Sequence, residues 1–247
     1  MKITHIHIER FRGFQNEDFE VGSLLTAIAG QNGTQKSTLL GIITQTFTLK
    51  TEDSMRVEKP LCGGSYISAF KDKFRLSPTF DKPKGHEWTI SFDAGMDDFT
   101  VESIKRTGDP NVRFWKKGAR QEGDGYISFP TIFLSLKRLV PVAEEAKIIT
   151  DDTLLTQEEL NEFKHNKILI AQTPISSATT ITSKNKQSIG VSTELYDWNQ
   201  NSMGQDNLGK IILALFSFKR LHDKYPRQYK GGILAIDEMD ATMYPAS

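Results

Sequence analysis

The chain has 247 residues, enough to bury a core without covalent staples, and its 38% hydrophobic and 10% aromatic content excludes an intrinsically disordered chain. Its one cysteine, Cys62, excludes a framework of internal disulfides. Lys+Arg 31 against Asp+Glu 31 gives a formal net charge of zero, which removes any whole-chain attraction to nucleic acid or to an anionic membrane.

The opening MKITHIHIERF interleaves charge and histidine where a signal peptide needs an unbroken apolar run, so a cytoplasmic setting is expected. Ile3, Ile6 and Ile8 predict a first strand, and the apolar run Leu24 to Ala29 predicts a second, more buried one. A glycine-rich loop follows. From Lys36 the pattern turns helical, with Leu39, Leu40, Ile43 and Phe47 on one face. Thr51 to Gly85 shows no sustained period and reads as irregular surface structure. Glu87 to Asp93, Phe99 to Arg106 and Val112 to Lys116 alternate as an antiparallel meander, with turn residues at Gly95 and at Gly108-Asp109-Pro110-Asn111. Tyr126 to Leu134 predicts a further strand.

Thr156 followed by Glu159 is a capping box that opens a helix to about Leu169, and Thr179 to Ser192 reads as a hairpin centred on Lys184-Asn185-Lys186. A buried helix is expected from Gly209 to about Tyr225. Its apolar run, Ile211 to Phe218, is eight residues long, far short of the roughly 20 that span a bilayer. Ile233 to Ile236 is a continuous apolar strand of the kind buried on both faces.

The chemistry starts at Gly30-Gln31-Asn32-Gly33-Thr34-Gln35-Lys36-Ser37-Thr38. A phosphate-binding loop needs inward backbone N–H groups, a lysine for the β/γ-phosphates, a hydroxyl for Mg²⁺ and a helix N-terminus facing the anion. Lys36 and Ser37 fit those last two side-chain roles. Gln35 stands where the pattern G-x-x-x-x-G-K-[ST] wants glycine, and a side chain at positive φ there costs about 1–2 kcal/mol. Ile233-Leu234-Ala235-Ile236-Asp237-Glu238 ends an apolar strand in two carboxylates, Asp237 suited to the metal and Glu238 to the attacking water. At Asn201-Ser202-Met203-Gly204-Gln205-Asp206, Ser202, the Gly204 backbone and a helix start offer a second anion site. Plain N-capping by Asn201 or Ser202 explains that segment as well.

In order and spacing these segments resemble an ABC-type ATPase head of the branch that includes structural-maintenance-of-chromosomes and RecF proteins. IERFRGF stands as its opening, GQNGTQKST as Walker A, NSMGQD as the signature, ILAIDE as Walker B and Met239-Asp240-Ala241 as the D-loop. The resemblance implies an α/β P-loop NTPase with a mixed sheet, an antiparallel β subdomain and a helical insertion. It implies one head over residues 1–247, with a Walker A lobe at 1–140, an insertion at 141–200, and the signature, Walker B and D-loop at 201–247.

By the same resemblance ATP and Mg²⁺ are sandwiched between two copies in a homodimer or higher oligomer. Lys36 and Glu238 carry catalysis, residues 30–38 with Ser202, Gly204 and Asp240 hold the nucleotide, and Ser37 and Asp237 hold the metal. FPTIFLSLKRLVPVAE, Phe129 to Glu144, and IDEMDATMYPAS at the C-terminal end further resemble ATPases of bacterial antiphage-defence systems of the Septu type and their retron-associated relatives. That implies an HNH nuclease partner, with nucleic acid engaged through the complex.

Several positions depart from the family. Ser135, Leu136 and Lys137 occupy the stretch of the Q-loop glutamine, and Met239 stands where many relatives have proline. The chain stops nine residues after Glu238, ahead of the family's switch histidine, so a head cut short is expected. Arg10 or Arg12 is a candidate for reaching the nucleotide, with a plain surface charge as the alternative. Lys105, Arg106, Arg113, Lys116, Lys117 and Arg120, around Trp115, suit either a nucleic-acid backbone or a solvated hairpin edge, and the hairpin edge is favoured. Two other functions fit the same motifs: a nucleotide-gated scaffold with little turnover, and a RecF-like DNA-repair head.

Overall fold

The computed structural model of the protein describes residues 1–67, 70–93, 95–105, 112–118, 124–150, 153–183 and 187–241. They form two compact units. The first comprises Met1–Arg56, Ile67–Phe133 and Lys230–Ala235, and the second Val57–Tyr66, Leu134–Tyr229 and the chain from Ile236.

In the first unit β1 (Ile3–Phe11) and β2 (Phe14–Glu20) make a hairpin that turns at Arg12-Gly13. Alternation along β1 sends Ile6 and Ile8 into the core and His5, His7 and Glu9 to the other face, and an irregularity in the strand's register between His7 and Arg10 returns Phe11 to the core. Next come α1 (Lys36–Gln45), β3 (Phe47–Thr48), α2 (Phe70–Lys73) and the strands β4 (Glu87–Phe92), β5 (Phe99–Lys105) and β6 (Val112–Lys116). Antiparallel pairing gives the sheet order β2-β1-β4-β5-β6. Its buried face carries an aromatic cluster, with Phe11 5.6 Å from Trp88 and 5.0 Å from Phe74, and Leu39 and Ile42 of α1 belong to the same core. β7 (Ile127–Ser128) pairs in parallel with β3, and β8 (Thr131–Leu134) closes this stretch of chain.

The second unit holds β9 (Ile149–Thr150), α3 (Gln157–Ala171), β10 (Ser177–Thr182), β11 (Gln187–Ser192) and α4 (Met203–Lys224). The three strands form an antiparallel sheet in the order β11-β10-β9. Its core gathers Phe163 of α3, Ile189 and Val191 of β11, and Leu208, Ile212, Leu213 and Phe216 of α4. Finally β12 (Ile233–Ile236) pairs with β8, the Ile233 N–H donating to the Pro130 carbonyl and the Asp237 N–H to the Leu134 carbonyl, a parallel register. The architecture is a mixed α/β one with an antiparallel sheet and few helices.

Several expectations are corrected. Leu24 to Ala29 is not a strand: Leu24 and Leu25 are 94% and 85% exposed. The Gly22 N–H donates to the Thr26 hydroxyl at 2.9 Å, a local turn that competes with ladder bonding. The phosphate loop is therefore entered from irregular chain. Tyr126 to Leu134 breaks into β7 and β8 at Pro130, which has no N–H for a ladder. α4 begins six residues before Gly209 because Ser202 and Gln205 close a capping box there. α1 buries Leu39 and Ile42, with Ile43 only partly buried and Leu40 outside the core, and Phe47 falls past its end in β3. In β12 only Ala235 is fully buried, although burial on both faces was expected. The turn residues Gly108 to Asn111, the hairpin centre Lys184 to Lys186, Arg106, Arg120 and the last six positions lie outside the described residues. No helix among the described residues is long and apolar enough to cross a membrane.

Candidate functional site

The loop at residues 30–38 is organised by its own backbone. The Thr34 hydroxyl donates to the Gln31 carbonyl at 2.8 Å across a turn in which Gly33 has φ 86. Lys36 folds back over the turn, its Nζ donating to the carbonyls of Gly30 at 2.8 Å and Gln31 at 3.0 Å. Gln35 is in the left-handed region at φ 65, ψ 25. The expected cost of a side chain there is thus incurred, and the Gln35 Oε1 accepts from the Gly13 N–H at 3.3 Å. A Cβ at Gly13 would come within 2.1 Å of the Gln35 Nε2, so the glycine of IERFRGF is what admits this contact.

Arg12, also left-handed at φ 56, reaches the first turn of α1. Its Nη1 donates to the Thr38 hydroxyl at 3.4 Å and its Nη2 to the Arg75 carbonyl at 2.8 Å. Asp81 lies 3.7 Å from the Arg12 Nε and accepts from His86 at 3.0 Å, and His86 meets the Ser103 hydroxyl at 2.9 Å. Burial pushes the His86 pKa below its ordinary value, against the opposing pull of Asp81. Arg10 instead donates to the Lys84 carbonyl and faces Glu87 at 3.6 Å. Of the two candidate arginines, Arg12 is the one beside the loop's helix.

The helix ends differ in how their N-termini are satisfied. α1 has no side-chain cap and no acidic residue in its first turn. α3 has the Thr156–Glu159 capping box and acids at Glu158 and Glu159. In α4 the Ser202 hydroxyl accepts from the Gln205 N–H, the Gln205 Oε1 accepts from the Ser202 N–H at 2.9 Å, and Asp206 sits in the first turn. Of α1, α3 and α4, α1 alone has neither a side-chain cap nor an acid in its first turn, so the positive end of its dipole is the least compensated of the three and the best suited to an outside anion.

In the second unit Asp237 is buried at the end of β12 and Glu238 follows at φ 51, again left-handed. Asp240 is exposed in the turn beyond. The two carboxylates stand near a buried guanidinium that sequence reasoning did not single out. Arg138 donates from Nε to the Asn207 Oδ1 at 2.7 Å, from Nη1 to the carbonyls of Leu134 and Ser135, and from Nη2 to the Glu238 carbonyl at 2.9 Å. Burial lowers its pKa, while the charges of Asp237 and Glu238 raise it. The available signal was an arginine beside a lysine among the apolar residues Leu136, Leu139 and Val140, just past a strand.

Lys210, one turn further along α4, donates to the Arg138 carbonyl and pairs with Asp206 at 3.0 Å. Lys167 lies beneath the first turn of α4, donating to the Gln205 carbonyl at 2.7 Å, and burial brings its pKa down to about 8.

The candidate residues thus fall into two sets. Gly30, Gln31, Asn32, Gly33, Thr34, Gln35, Lys36, Ser37 and Thr38 belong to the first unit, and Ser202, Gly204, Asp237, Glu238 and Asp240 to the second. Taken separately, the Ser37 hydroxyl and the Asp237 carboxylate are each a hard oxygen donor of the kind Mg²⁺ takes. Among the described residues no group of three or more His, Cys, Asp or Glu that could hold a metal ion is present. Around Trp115, Lys117 pairs with Glu87 and Lys116 stacks 5.3 Å over Phe99, so these two cations are engaged within the sheet.

A phosphate loop opening a helix beside a β-sheet defines a P-loop nucleotide-binding ATPase domain, and comparison with protein families agrees. Residues 5–224 match the AAA domain model, and the chain belongs to that family. The match takes in the loop at 30–38 and the start of α4, and ends before β12. No curated protein matches the chain.

Proposed function

We propose that the protein binds Mg-ATP as an ABC-type head and hydrolyses it between two copies of the chain. Lys36 contacts the β/γ-phosphates, Ser37 and Asp237 hold Mg²⁺, Glu238 activates water, and Ser202 with Gly204 of the second copy closes over the nucleotide, with Asp240 at the junction. When bound, Mg²⁺ neutralises developing phosphate charge.

The observation that carries the reading is the α1 N-terminus, which has neither cap nor acid and is flanked by Lys36 and Arg12. Its test is phosphate release from the wild-type protein and from Glu238→Gln, with light scattering run in parallel. The reading expects ATP-dependent dimerisation in both and release only in the wild type. Equal release from the two would contradict turnover.

In the cell we place the protein in the cytoplasm, as the ATPase of an antiphage-defence complex that controls an HNH nuclease and reaches nucleic acid through it. The likeness of Phe129 to Glu144 to Septu-type ATPases supports this. The expected result is an adjacent gene for an HNH nuclease whose product co-purifies with this protein in an ATP-dependent way; a neighbourhood without one would contradict the placement.

A second reading, a nucleotide-gated scaffold with little turnover, is favoured by Ser135, Leu136 and Lys137 standing where a Q-loop glutamine is expected. ATP-driven dimerisation without release would select it.

A further inference from the structure

We propose that Arg138 is a positioning residue for Glu238, tying the backbone of that carboxylate to α4. The idea rests on the hydrolytic reading above and deepens it.

Arg138 is 6% exposed and its guanidinium meets four oxygens: the Asn207 amide and the carbonyls of Leu134, Ser135 and Glu238. None of the four is a carboxylate. The charges of Asp237 and Glu238 act on it as well, yet a buried charge with its partners is a poor source of stability, since an apolar side chain of similar volume serves packing as well or better. What a guanidinium supplies is geometry, because its planar fork fixes several acceptors at once.

The acceptor that matters is the Glu238 carbonyl. Glu238 occupies left-handed backbone, which a non-glycine residue adopts at a cost of about 1–2 kcal/mol. Such strain persists where surrounding contacts hold it. Two donors converge on this carbonyl, the Arg138 Nη2 at 2.9 Å and the Ala241 N–H at 3.2 Å. Side-chain rotamers follow the backbone, so fixing this peptide also fixes the directions open to the Glu238 carboxylate.

The other end of the tie is α4. Asn207 is fully buried one turn inside the helix that Ser202 caps, and Lys210 adds a second bond from the next turn to the Arg138 carbonyl at 2.6 Å. Two buried residues of α4 therefore grip one arginine from both its side chain and its backbone. A shift of α4 reaches the Glu238 peptide through this arginine, which gives the closing of the second anion site a path to the group that activates water.

The test compares wild type, Arg138→Lys, which keeps the charge and loses the fork, and Asn207→Ala, which removes one acceptor. Turnover is read by phosphate release and affinity by titration with a fluorescent ATP analogue. The expected result is a kcat for Arg138→Lys lower by about 100-fold, the scale on which small misplacements act, with ATP affinity within about threefold of wild type. Asn207→Ala is expected to fall between the two in kcat, again at near-wild-type affinity. A kcat for Arg138→Lys within about threefold of wild type overturns the proposal, as does a loss of rate matched by an equal loss of affinity. If Arg138→Lys does not fold, Asn207→Ala decides by the same two criteria. The wild-type measurement reports on the functional reading by itself: ATP binding without release overturns hydrolysis and this proposal together, and no binding overturns the nucleotide site.

Discussion

Two helices of this protein begin in segments that look like anion sites, and they begin in opposite ways. α1 starts at a left-handed glutamine with no cap and no acid in its first turn, while α4 starts at a reciprocal Ser202–Gln205 box with Asp206 one turn in. An N-terminus that completes itself has little left to offer a ligand. One left uncapped, beside the folded-back Lys36 and the exposed Arg12, retains its positive end for a phosphate. On the function proposed above, the contrast separates a primary phosphate site from a surface that contributes only when a second copy brings it against bound nucleotide.

The largest effect expected from this contrast concerns Lys167, which lies under the self-capped helix with Asp206 as its charged neighbour. The unfolded chain keeps this proton up to about pH 10.5 and the folded chain only to about 8. Between those values the unfolded state binds more protons, so the Lys167 contribution to stability rises with pH, and below about 8 the full cost of burying the charged amine is felt. Denaturant unfolding of wild type against Lys167→Met should show their difference changing by about 3 kcal/mol in favour of wild type from pH 8 to 10.5.

At the bare helix, Lys36→Ala should weaken ATP binding on the order of 100-fold, as for a lost charge-assisted bond, measured by titration with a fluorescent analogue. Making α1 resemble α4 is the next test. Gln35→Asp places an acid at the helix start and should lower ATP affinity about tenfold by like-charge repulsion of the phosphates, while the free protein melts no lower. Smallest is the converse change: Ser202→Ala should cost about 1 kcal/mol in thermal or denaturant unfolding and leave ATP binding by the isolated copy within about threefold.

What the residues disclosed in advance follows the range of the forces involved. The meander at Glu87 to Lys116 and the Thr156–Glu159 box were legible because alternation and capping are written in neighbouring residues. Leu24 and Leu25 misled because an apolar run of six carries no record of whether a strand will pair with it, and a Gly22–Thr26 turn intervened. Pro130 and the Ser202–Gln205 box were readable cues that the wider apolar patterns around them hid. At the candidate site, the loop at 30–38 and the Asp237-Glu238 pair stood out as motifs. Arg138 did not, since its partners Asn207 and Glu238 lie 69 and 100 positions away and meet it only in the fold. The choice of Arg12 over Arg10 likewise came from the hairpin turn, which sends one side chain to Thr38 and leaves the other at Glu87.

The claim that the bare helix is the primary phosphate site is tested most directly by hydrogen exchange with and without Mg-ATP over a range of protein concentrations. Protection of residues 30–39 at every concentration, with residues 202–206 protected only where the dimer forms, is the result this account predicts. Saturating ATP that leaves 30–39 unprotected, or that protects 202–206 first, would contradict it.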